Sequence, residues 1–216
     1  ISVADGGAVH LFLGPIQGSL EAKDAQAVFA GENPGGWAGI SLAPAGDING
    51  GGLDITDVII VLEAILLIAD LDECAEYEAD VIADGSINIL DILVMVQIIL
   101  GDDVARTNNL ATSVELTQKG NQLSYKSNGD GLIGFELTLS HDIDCGFSLS
   151  SDAFIADYNT SGNTTKMIIV INEGNDLFTS TGDFEIVEVL AGTSLSAIDV
   201  NITIVPQSIE LGGAFP

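Results

Sequence analysis

"ADVIADGSINILDILVMVQIIL", residues 79–100, decides how this chain is read. An acidic, glycine-containing loop runs straight into a long aliphatic segment. The same order occurs upstream in "GDINGGGLDITDVIIVLEAIL", residues 46–66, where Asp47 lies 33 residues before Asp80. A self-similarity of this length marks a duplicated supersecondary unit, here a loop followed by a helix. The two units are joined by the acidic link "ADLDECAEYEAD", residues 69–80. The apolar runs, 58–69 broken by Glu63 and 92–100 broken by Gln97, fall short of the ~20 residues that span a bilayer, so they read as buried helices.

The loops carry the chemistry of a hard cation site. Calcium takes oxygen ligands from positions 1, 3, 5, 7, 9 and 12 of a twelve-residue loop, with glycine at position 6 for the sharp turn. Counted from Asp80, position 5 is Asp84, 6 is Gly85, 7 is Ser86 through its carbonyl, 9 is Asn88 and 12 is Asp91. Ile87 at position 8 points inward and anchors the loop. Position 3 is Ile82, which has no side-chain oxygen. In the first loop Asp47 and Asn49 hold positions 1 and 3, Gly51 leaves 5 empty, Gly52 takes 6 and Leu53 offers the carbonyl of 7. Asp54 and Asp57 then arrive one residue early for positions 9 and 12, so this loop is one residue short. The competing readings are helix caps for Asn88 and Asp91 and a nest of backbone amides for the first loop.

Around this middle segment the texture changes twice. Residues 1–45 are glycine-rich with short apolar runs such as "AVHLFLG", which predict two to four short strands. From about residue 110 apolar and polar residues alternate in "SVELTQK", "QLSYKS", "IGFELTLS", "TKMIIVI", "DFEIVEVL" and "AIDVNITIV", with turn signals between them. Many short strands at this spacing predict an antiparallel β-sandwich. The expected organisation is a β segment at 1–45, the loop–helix module at 46–101, a linker at 102–109, the sandwich at 110–205 and a tail at 206–216.

The charge narrows the partners. Thirty-two acidic residues against five basic ones give −27, which excludes the basic face that nucleic acid or an anionic membrane needs and favours cations; a plain acidic surface gives the same number. No basic, apolar leader opens the chain at "ISVADGG", which leaves a cytosolic protein or a processed, exported one. Cys74 and Cys145 lack metal-type spacing and are read as two thiols or one disulfide. His10 and His141 are the two histidines, each in a strand context, and no nucleophile or phosphate-loop motif accompanies them. Sequons stand at Asn159, Asn163 and Asn201. No catalytic residue is assigned.

The duplicated units resemble a dockerin module, on the calcium loop, the Ile-Asn pair, the closing Asp and the aliphatic helix of residues 79–101. Ile82, Gly51 and the short first loop depart from that pattern. "IGFELTLSHD" and "NEGNDLFTSTGDFEIVEVL" resemble strands of a cohesin-like domain, the dockerin's receptor. Residues 8–52 resemble one FG-GAP repeat of an integrin-type propeller, whose Asp-x-Asn loop also binds calcium. "IELGGAFP" is similar to the junction before a type IX secretion sorting domain. These resemblances imply Ca2+ as cofactor and a secreted, non-catalytic assembly protein at the cell surface or beyond it. Its partners would be other copies of itself or another cohesin- or dockerin-bearing protein. The linker at 102–109 is expected to keep ligand and receptor of one chain apart, so that docking runs head to tail into a filament. The alternative is the attachment region of a secreted hydrolase or adhesin.

Overall fold

The computed structural model describes residues 8–11, 27–30, 46–101, 109–194 and 196–206. Most of the FG-GAP-like segment, the junction at the C-terminus and all of the linker but Asn109 lie outside them. The chain divides into two compact units, Ile1–Pro44 and Ala45–Pro216. In the first, β1 (Ala8–Leu11) and β2 (Ala27–Ala30) form an antiparallel pair.

The second unit is mainly β, with two five-stranded sheets and three short helices among the described residues. One sheet has the order β11 (Ser196–Ala197), β10 (Phe184–Thr193), β5 (Ile133–His141), β8 (Thr164–Ile171) and β7 (Ala153–Ser161). The other has β12 (Asp199–Val205), β3 (Ser113–Lys119), β4 (Gln122–Ser127), β9 (Asp176–Ser180) and β6 (Phe147–Leu149). All pairings between these strands are antiparallel except one. β12 runs parallel to β3, because the chain reaches it by crossing from the first sheet and not through a hairpin. The six strands read from alternation are all present, and β6, β7, β9 and β11 are additional.

Alternating residues of both sheets meet in a core that includes Leu116, Leu123, Phe135, Leu137, Met167, Ile169 and Phe178. Phe147 stands edge-on to Phe178, Tyr158 and the His141 ring. This is ordinary sandwich packing. The strand β8 departs from it, because Met167, Ile168, Ile169, Val170 and Ile171 are all fully buried. Consecutive buried residues mean that both faces of the strand are covered.

The second cover is helical. α1 (Ile55–Ile65) and α3 (Ile89–Leu100) pack on each other, and the acidic link, for which the sequence predicts no helix, forms α2 (Glu73–Ala79). α2 starts at Asp72, whose carboxylate accepts from the backbone N–H groups of Cys74 and Ala75. Val58, Val61, Leu62, Ile65, Ile92, Leu93 and Val96 share a second core with Leu132, Ile168 and Val170 of the sandwich. The outer face of the first sheet is therefore apolar and is occupied by the chain's own loop–helix layer. The expectation that the short linker prevents this meeting within one chain is corrected here. α3 lies against β5 and β10, and the apolar faces on both sides supply the reason.

Both cysteines are free thiols, Cys74 exposed and Cys145 half-buried with its Sγ 3.7 Å from the Gly182 carbonyl oxygen.

Candidate functional site

The two loops are wired alike. The Asp91 carboxylate, wholly buried, accepts from Ile82 N at 3.1 Å and Asn88 N at 3.0 Å. The Asp57 carboxylate, also wholly buried, accepts from Asn49 N at 3.2 Å and Asp54 N at 2.9 Å, and from Ile48 N at 2.9 Å. Asp57 thus corresponds to Asp91 and Asp54 to Asn88, while Ile48 and Asn49 together take the place of Ile82.

In each loop the corresponding pair also caps the helix. Asn88 accepts from Leu90 N at 2.9 Å and Asp54 accepts from Thr56 N at 2.6 Å, while Asp91 and Asp57 close the reciprocal bond of a capping box. The helix-cap reading and the ligand reading therefore describe the same residues. At position 6, Gly85 and Gly52 have φ of +85° and +94°, the left-handed turn that only glycine makes without strain.

Asp80, at position 1, accepts from Asp84 N at 3.1 Å and Gly85 N at 2.8 Å, and Asp84 accepts from Ser86 N at 2.9 Å. Asp47 accepts from Gly50 N at 2.9 Å, and Asn49 from Gly51 N at 3.1 Å. Leu53 and Ile87 rest against the helical core, which fixes both loops to it.

The donor set suits a hard cation, since every candidate ligand is an oxygen. A carboxylate has about four acceptor positions. Asp57 gives three to the backbone and Asp91 two, so the second loop keeps more capacity for a metal. Burial pushes the Asp91 carboxyl above the usual carboxylate range, N–H bonds from Asn88 and Ile82 oppose this, and the charges of Asp80 and Asp84 add to the rise. Asp54 is shifted downward, mainly by its bond from Thr56 N. Among the described residues no three His, Cys, Asp or Glu side chains form a metal cluster, so a cation here would also draw on Asn88, the Ser86 carbonyl and water.

The second loop leads directly into the part of α3 that packs on β5 and β10. Gly134 of β5 and Gly192 of β10 are register partners across the sheet. A Cβ at Gly134 would lie 2.5 Å from Ile89 and 2.9 Å from Leu93, and one at Gly192 would overlap Leu90. The paired glycines make a flat seat that the first turns of α3 fill. Beside it Glu136 accepts from Ile89 N at 3.2 Å and pairs with Lys166 at 2.9 Å. At the other end, the side-chain amide of Asn159 donates to the Leu66 carbonyl at the end of α1, at 2.9 Å. A second sequon, Asn163, donates to the His141 carbonyl at 2.9 Å.

His141 is buried, with Nε2 2.8 Å from Thr165 Oγ1 and Nδ1 2.8 Å from the Asp142 carbonyl oxygen, so both ring nitrogens are engaged. Among the described residues no helix is long and apolar enough to cross a membrane.

Neither a family model nor a curated protein sequence matches the chain. Among solved structures it is similar to a non-cellulosomal cohesin from the hyperthermophilic archaeon Archaeoglobus fulgidus, with 17% identity over 46% of this chain and 94% of that one and a TM-score of 0.30.

Proposed function

We propose that this chain is a secreted, non-catalytic, calcium-binding recognition and assembly protein whose duplicated loop–helix layer is the ligand for the outer face of its own sandwich. The observation that carries the reading is the paired-glycine seat, where Ile89, Leu90 and Leu93 take the space that side chains at Gly134 and Gly192 would need. The resemblance of the layer to a dockerin and of the sandwich to a cohesin-like receptor points to the same pairing.

Asp80, Asp84, Ser86, Asn88 and Asp91 would hold the metal of the second loop, and Asp47, Asn49, Leu53, Asp54 and Asp57 that of the first. Bound calcium would supply positive charge where several carboxylates gather. Asn88 joins the two functions: it is a ligand position, the cap of α3 and the neighbour of Ile89 on the seat. Order in the loop is thereby linked to the position of α3 on the sheet. Because the helical layer is engaged within the chain, assembly with other chains uses other surfaces.

Calorimetric titration of the metal-stripped protein with calcium tests the reading. Binding at the second loop is expected to be the tighter event. Asp84→Asn should weaken that event at least about tenfold, as loss of one charged ligand at ~1.4 kcal/mol or more implies. Heat without saturable binding, or binding unchanged in Asp84→Asn, would contradict it.

A further inference from the structure

The strand edges of the sandwich are not equally protected. An exposed edge offers unpaired N–H and C=O groups to any second strand, and proteins blunt such edges with short strands, bulges or charges. β11 has two residues and β6 three. β7 carries a bulge between Ala153 and Ile155 and the charge of Asp157. The part of β10 beyond β11 has a bulge between Ile186 and Glu188, and Glu185 beside it. β12 has neither a bulge nor a short length, and its one charge, Asp199, is at its first residue. Its seven residues pair with β3 in unbroken register, and after Asp199 it reads "VNITIV" without a charge, in a chain of net charge −27.

The exposed side chains of β12 are apolar where they should be polar. Ile202 and Ile204 are 45% and 68% exposed, although they follow Val200 on the side that faces the opposite sheet. They line an open cleft of about 610 Å³ with Phe184, Ile186 and Val205. The sandwich is left open along this edge.

We propose that β12 pairs with β12 of a second copy, antiparallel, about a two-fold axis at Ile202. It specifies a partner for the assembly part of the proposed function, but it uses no metal loop. The sequence of the strand is self-complementary about that point. Ile202 meets Ile202, Val200 meets Ile204 and Asn201 meets Thr203, so apolar side chains face apolar ones on the inner side and polar ones face each other outside. The strand's one acidic residue, Asp199, lands opposite Val205 of the second copy, and the two Asp199 side chains stay at opposite ends. Val205 has Lys119 as its neighbour on β3. Lys119, one of five basic residues in the chain, then lies two strand spacings, ~9.5 Å, from Asp199 of the second copy, within reach of its long side chain. Such a contact is isologous and closes as a dimer. It joins two five-stranded sheets into one continuous sheet.

Sedimentation equilibrium of the full chain, in calcium and in chelator, is the test. The wild type should be a dimer in both. Ile202→Glu puts two carboxylates face to face at the axis and should raise the dimer dissociation constant at least about 100-fold, whereas Ile202→Val should leave it within a few-fold. Lys119→Glu should weaken the dimer, and adding Asp199→Lys should restore it; this pair decides the matter if Ile202→Glu fails to fold. A monomer at all concentrations, a dimer indifferent to Ile202→Glu or to the charge swap, or a dimer lost only in chelator would overturn the pairing. The calcium reading fails by a different result, the absence of binding in the titration.

Discussion

Millimolar calcium is expected to raise the unfolding midpoint of metal-stripped protein by about 5–15 °C for each loop that fills. A ligand present at 100 to 1,000 times its dissociation constant adds roughly 2.7–4.1 kcal/mol, and for a domain of 150–250 residues ~1 kcal/mol moves the midpoint by about 2–4 °C. The physical source is specific. Asp91 is wholly buried in a chain with few basic residues, and Asp80 and Asp84 add like charge to it. A cation relieves that repulsion, and the unfolded chain, which spreads the same carboxylates apart, gains little from it. Asp91→Asn separates this account from a simple cap. The amide still accepts one backbone bond and lifts the repulsion, so stability in chelator should change by no more than about 1 kcal/mol, while most of the calcium-dependent gain from the second loop disappears. If calcium does not move the midpoint, the loops are turns and caps alone.

The second large effect is expected from the seat. Gly192→Val and Gly134→Val together should cost about 3 kcal/mol or more in the stability of the helical layer, since overpacking one site costs about 1–3 kcal/mol and the side chains displaced are buried leucines and an isoleucine. Neither glycine contributes to the core between the sheets, and valine suits a strand, so the sandwich itself should still unfold cooperatively. The double variant should therefore lose helical circular dichroism and bind an apolar dye through Ile168, Val170, Ile155 and Leu190, while β-sheet signal persists. Loss of both signals together would mean that the layer and the sandwich do not separate energetically. No loss of either would mean that α3 does not use the seat.

Much of this arrangement was legible in the sequence, because its signals are local. Alternation over 113–119, 122–127 and 133–140 reflects strands with one buried face, and the structure places β3, β4 and β5 there. The duplication was legible as a repeated loop–helix order, and Asp57 and Asp91 close their loops through equivalent backbone bonds. The docking was not read, although one signal pointed to it. "MIIVI", residues 167–171, does not alternate, and an unbroken apolar strand needs cover on both faces. The other half of the information is non-local. Gly134 and Gly192 stand far apart in the chain and become a seat only through the register of β5 with β10. Asn159 reads as a sequon in sequence and acts as a donor to the end of α1 in the fold. The short helix α2 escaped because three of its seven residues are glutamates and it buries only Ala79, so no apolar stripe marks it.

Amide hydrogen exchange of the full chain, followed segment by segment in calcium and then in chelator, tests most directly whether metal-ordered loops hold the helical layer on the sandwich. Slow exchange is expected for α1, α3 and β8 in calcium. In chelator α1 and α3 should lose protection by several orders of magnitude while β3, β4 and β5 keep theirs, as separate cooperative units do. Equal protection of the helices in both conditions, or unprotected helices in calcium, would contradict the account.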